Sequence, residues 1–126
     1  MNFDLSEEQQ LLKDSVDRFV SDNYDLDTRQ KLSKNEAGFS DTYWQTMAEL
    51  GWLGVTVPEA HGGFGGNQAD TMVLMEAFGK GLVLEPFFAS AVLGTRAIVS
   101  GGSEQLQSKL LPELLNGASR LSLAYA

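Results

Sequence analysis

The chain has 126 residues, 43% hydrophobic and 21% charged, with a formal net charge of −8 and no cysteine. That length suits a single domain with a real core. The acidic balance, with no basic run, argues against nucleic acid and anionic membrane surfaces as partners, and the lack of cysteine excludes disulfides, zinc fingers and iron–sulfur clusters. The acidic start, Met1 to Glu8, has neither the basic and apolar segments of a signal peptide nor the Arg-rich character of a transit peptide, so a cytoplasmic protein is expected.

Ser6-Glu7-Glu8-Gln9 reads as a capping box, and Leu12, Val16, Phe19 and Val20 follow as one apolar stripe, predicting a helix over 6–22. The polar stretch from Asp25 to Gly38 reads as a loop, partly helical at most. Ser40 and Asp41 cap a second helix carrying Tyr43, Trp44, Met47 and Leu50, and Gly51 ends it.

A connector from Leu50 to Gly66 follows, and it holds six of the chain's thirteen glycines around a Val57-Pro58-Glu59 core. Two helices need only about two to eight residues to join, so this length and composition predict a shaped backbone. Asn67 is expected to cap a third helix reaching about Gly79, apolar on more than one side. Pro86 suits the first position of a fourth helix, Phe87 to Val99. The apolar region Leu82 to Val99 is broken by Glu85, Pro86 and Arg96, so it predicts a buried helix and no membrane span. Ser103 caps a fifth helix with Leu106, Leu110, Leu111, Leu114 and Leu115, which Pro112 should bend or split.

From Arg120 to Ala126 the pattern alternates like a strand, with only Val55 to Val57 as a possible short partner. The fold class expected is therefore all-α: a bundle of about five helices over 1–119, with 120–126 a short strand that would begin a β domain beyond the chain.

Several residues could carry chemistry. His61 is the only histidine, and with no Gly-x-Ser-x-Gly nucleophile motif the fragment His61-Gly62-Gly63 does not predict a hydrolase. Gly62 to Gly66, before a helix start, could cradle an anion, but the spacing of the phosphate motifs is missing. Left-handed turn geometry is the favoured reading there. Glu76 and Arg96 interrupt apolar helices and should either pair or lie separately exposed. Met72, Met75, Phe87, Phe88, Ala91 and Val92 read as hydrophobic core singly, and together as an adaptable wall for an apolar ligand.

Five segments in order carry a family resemblance: Leu5 to Gln9, the connector Leu50 to Gly66, Met75 to Gly79, Leu110 to Gly117, and Leu121 to Ala126. Together they resemble the N-terminal helical domain of FAD-dependent acyl-CoA dehydrogenases. The run Gly81 to Phe87 further resembles a subset of heteromeric and pimeloyl-CoA-type small subunits. The resemblance implies a β-rich middle domain and a C-terminal helical bundle in the complete enzyme, which desaturates an acyl-CoA thioester between the α and β carbons. It implies that the catalytic carboxylate lies outside this chain, and that Leu123, Ala124, Tyr125 and Ala126 reach the edge of the flavin site. It makes Met72, Met75, Phe87, Phe88, Ala91 and Val92 the expected substrate-pocket wall. Ala126 stands where many members begin a Thr-Glu-Pro sequence. FAD is expected in the complete enzyme and not held by this chain alone. The expected partners are the acyl-CoA substrate and the remaining dehydrogenase domains or a partner subunit. The alternative is a non-enzymatic interaction module that docks a partner helix on its third and fourth helices.

Overall fold

A computed structural model describes residues 2–124. Among them the regular structure is helical: α1 (Glu7–Asn23), α2 (Leu26–Ser33), α3 (Asp41–Glu49), α4 (Gln68–Gly81), α5 (Thr95–Gly101) and α6 (Glu104–Leu115). Two 310 turns, Trp52–Gly54 and Glu59–His61, lie in the connector, and a π-helical stretch, Phe88–Gly94, leads into α5. The fold sorts into two units, residues 1–39 with 69–84 and residues 40–68 with 85–126.

In the first unit α1 begins on the capping box read from its sequence: Ser6 Oγ accepts from the Gln9 amide, and the Gln9 side chain accepts from the Ser6 amide. Val16 and Phe19 are buried, and Leu12 and Val20 are half-buried beside them, as the stripe predicts. Gln9 Nε2 donates to Asp70 Oδ1 at 3.2 Å. Eleven residues later on each helix, a β-carbon at Gly81 would lie 2.3 Å from Val20 Cγ1. The two helices α1 and α4 therefore run side by side and parallel, with Gly81 leaving room for Val20.

The stretch from Asp25 to Gly38 is only partly a loop: residues 26–33 are helical, and turns follow from Lys34. The helical part is α2, capped by Asp25 Oδ1 on the Thr28 amide at 2.7 Å. No residue of α2 is buried, so apolar periodicity gave no sign of it; its cap and its charges are what specify it. Helix α4 runs two residues past Gly79, and Leu82 then turns the chain with φ +52°. The Leu82 carbonyl accepts from Arg29 Nε at 2.8 Å, and the Leu84 amide donates to the Tyr24 hydroxyl at 3.2 Å. The left-handed residue is thus held by side chains on either side of the α1–α2 junction.

In the second unit Ser40 caps α3, and Gly51 leaves it with φ +80°. The predicted fourth helix starts at Phe87, directly after Pro86, and is not uniformly α-helical: the Thr95 amide bonds the Ser90 carbonyl, five residues back. A 3.6-residue pattern carries no signal for such a widened turn. Ser103 caps α6 through the Leu106 amide, and Pro112 does not split that helix. Pro112 itself is exposed, while Leu111 and Leu114 on either side of it are buried against Val57, with Ile98, Val99 and Leu110 packed around them. That burial outweighs the lost N–H.

No strand occurs among the described residues. Residues 120–124 take no regular structure, and the Val55 and Val57 carbonyls accept instead from Gly66 and Gly65 of the connector. A single strand with no ladder partner does not form a sheet.

Candidate functional site

The glycine-rich connector folds back on itself through its own backbone. The Phe64 amide donates to the Gly54 carbonyl at 3.1 Å, Gly65 to Val57 at 2.8 Å, and Gly66 to Val55 at 2.8 Å. Gly62 and Gly63 donate to the Glu59 and Pro58 carbonyls. Five consecutive N–H groups are therefore spent internally, and the anion cradle that the glycines might suggest is not formed. Two positions require glycine outright. Gly51 has φ +80° with the Phe64 ring laid over it, and a β-carbon on Gly63 would sit 2.1 Å from the Val57 carbonyl oxygen.

His61 ends the second 310 turn, and its Nε2 lies 3.4 Å from Glu104 Oε1 in the first turn of α6. It ties the connector to that helix. Among the described residues no group of three His, Asp or Glu side chains could hold a metal ion. Glu76 pairs with Lys80 at 3.1 Å on its own helix, both being exposed, and Arg96 is exposed too. Such a surface pair contributes little.

The residues expected to form a pocket wall divide between the two units. On α4, Met72 is 55% exposed and Met75 half-buried. On the other unit's helix, Phe87 and Ala91 are buried, Val92 is half-buried and Phe88 is 53% exposed. The buried residues there, Phe87, Ser90, Ala91, Gly94 and Thr95, form one stripe that includes two hydroxyls. Of the residues expected at a flavin edge, Leu123 and Ala124 are exposed. Tyr125 and Ala126 lie outside the described residues.

Three positioning groups escape sequence reasoning. Glu85 is 5% exposed, and its Oε2 accepts from the Ser40 amide at 3.1 Å, bracing the start of α3. Trp44 Nε1 donates to the Gly117 carbonyl at 3.2 Å, in a buried bond that pins the chain after α6. Ser90 Oγ accepts from the Leu121 amide at 3.0 Å. The one available signal was a polar residue placed at helical spacing among buried ones, and it does not name its partner.

These features define a helical fold with a glycine-locked connector and a C-terminal segment held by Trp44 and Ser90. The family profile described as "Acyl-CoA dehydrogenase, N-terminal domain" matches residues 6–118, and the chain belongs to that family. It is 30% identical over 115 residues to the acyl-CoA dehydrogenase IpdE2 of Mycolicibacterium smegmatis, covering 90% of this chain and 35% of the relative. Its fold is similar to a chain of the ChsE4–ChsE5 complex from Mycobacterium tuberculosis, with TM-score 0.88 and 28% identity over 97% of this chain and 34% of that one. It is similar also to an acyl-CoA dehydrogenase from Bacillus anthracis complexed with FAD, with TM-score 0.83 and 27% identity over 93% of this chain and 20% of that one. The chain thus spans about a third or less of the length of these proteins. Among the described residues no helix is long and apolar enough to cross a membrane.

Proposed function

We propose that this chain is the N-terminal helical part of a cytoplasmic, FAD-dependent acyl-CoA dehydrogenase that desaturates an acyl-CoA thioester between its α and β carbons. The observation that carries this reading is the helical fold shared along more than nine-tenths of the chain with acyl-CoA and glutaryl-CoA dehydrogenases, one of them complexed with FAD. The remaining domains, or a partner subunit of the kind the ChsE4–ChsE5 complex exemplifies, would supply the catalytic carboxylate.

The residues present fit a flavin edge. Leu123 and Ala124 are exposed, and their backbone N–H and C=O groups are the polar atoms that would face a polar heterocycle. Bound FAD would accept the β hydrogen as hydride. The chain's own part is to wall the acyl and flavin site. Met72 and Met75 on α4, and Phe88 and Val92 on the π stretch, would each present apolar surface that excludes water from the charged intermediate. Phe87 and Ala91, buried in their own unit, would support the π stretch from within it. Alone, the chain would neither hold FAD firmly nor turn over acyl-CoA.

Absorbance spectra test this reading. The 126-residue chain is expected to purify colourless, whereas the native assembly that contains it should be yellow and should bleach on addition of acyl-CoA. A colourless native assembly would overturn the assignment, and bleaching by the isolated chain would overturn its inactivity.

A further inference from the structure

The chain after α6 is tied down at successive residues. The Gly117 carbonyl is held by Trp44, the Ser119 amide and hydroxyl bond the Glu113 carbonyl and carboxylate at 3.0 and 2.8 Å, and Arg120 reaches Asp41 at 3.3 Å. Among the described residues, Leu121 is the last one anchored in this way. Its side chain packs on the Val57–Leu111–Leu114 cluster, and its amide donates to Ser90 Oγ at 3.0 Å. Beyond it, Ser122, Leu123 and Ala124 are exposed, with no hydrogen bond among the described residues.

The seat under Leu121 is built from the π stretch. Ser90 is 1% exposed, so its hydroxyl is not available to solvent and its acceptor is committed to the Leu121 amide. Gly94, four residues on, is buried, and a β-carbon there would lie 2.6 Å from Leu121 Cβ. One residue supplies the acceptor and the other the room. The widened turn that carries both is the only π-helical segment among the described residues, and such segments recur at functional sites.

We propose that Ser90 and Gly94 are positioning residues for the flavin-facing segment that starts at Leu123. They touch neither flavin nor substrate; they fix the point from which the backbone departs. Two residues extend at most about 7 Å, so Leu123 stays within that reach of the Leu121 seat and follows its displacement. The inference rests on the reading of this chain as part of an FAD-dependent dehydrogenase.

The test uses Ser90→Ala, which removes the acceptor, and Gly94→Ala, which crowds the seat and leaves the acceptor in place. Amide hydrogen exchange is read on the 126-residue chain, and FAD affinity and flavin absorbance on the native assembly. In Ser90→Ala the Leu121 amide should exchange roughly tenfold faster, as expected for loss of one buried hydrogen bond, while exchange in α6 stays as in the wild type. Both variants should weaken FAD binding and shift the flavin absorbance band. If Ser90→Ala fails to fold, Gly94→Ala decides alone through the same flavin readouts. Wild-type Leu121 exchange, or a wild-type flavin band and affinity in the variants, would overturn the proposal. A wild-type assembly without FAD would instead overturn the functional reading, and this role with it.

Discussion

The Val57 carbonyl oxygen lies 2.1 Å from where a β-carbon on Gly63 would be, and the same carbonyl accepts a 2.8 Å bond from the Gly65 amide. Gly63 therefore sits in a space closed by backbone, which cannot move aside as a side chain could. Gly63→Ala should destabilise the chain by about 2 kcal/mol, in the range of overpacking a closed site. Chemical denaturation would show it, and an unchanged midpoint would mean that the connector is not packed as described.

Trp44 joins α3 to the chain after α6 through a single buried bond to the Gly117 carbonyl. Trp44→Phe keeps an aromatic ring but leaves that carbonyl unpaired, so a loss of about 1–3 kcal/mol is expected. Gln45 also reaches this corner, donating to the Asn116 carbonyl at 3.3 Å, but from an exposed position. Gln45→Ala should therefore cost much less, and equal losses in the two variants would contradict the distinction.

Leu82 is the only non-glycine among the described residues with positive φ, at +52°. A β-branched side chain tolerates this conformation poorly, whereas glycine adopts it freely. Leu82→Val should lower the melting temperature, and Leu82→Gly should exceed Leu82→Val in stability by about 1–2 kcal/mol despite carrying less side chain. The reverse order would show that Leu82 does not occupy the left-handed region in solution.

Asp25 caps α2, and the hydrogen bond from the Thr28 amide holds its carboxyl below the ordinary carboxylate value. Because the folded state binds the ionised form more strongly, this contribution is present above the unfolded pKa and is lost as pH falls through the folded one. Protection of the α2 amides should accordingly decline on acidification below about pH 4. In Asp25→Asn, which keeps the acceptor without the charge, that dependence should flatten. An acid dependence identical in both proteins would place its origin elsewhere.

The sequence by itself determined what is local. The Ser6–Gln9 box, the Ser40 and Ser103 caps, the Gly51 stop and the apolar stripes of α1 and α6 follow from side-chain chemistry within one or two helical turns, and each stands where its residues put it. The family, too, was legible in the connector and the end of α6. What escaped was set by partners distant along the chain or by no burial at all. Helix α2 buries none of its residues and so left no apolar period to read.

The five glycine-region amides found carbonyls on Gly54 through Glu59, a pairing invisible to any motif, and that pairing removed an anion site the glycines alone would allow. Ser90 meets Leu121 across 31 positions, and Glu85 meets Ser40 across 45. A polar side chain inside a buried stripe signals that a partner must exist, because burial without one is costly. Only the tertiary structure could decide which backbone group that partner is, since every residue but proline offers the same N–H.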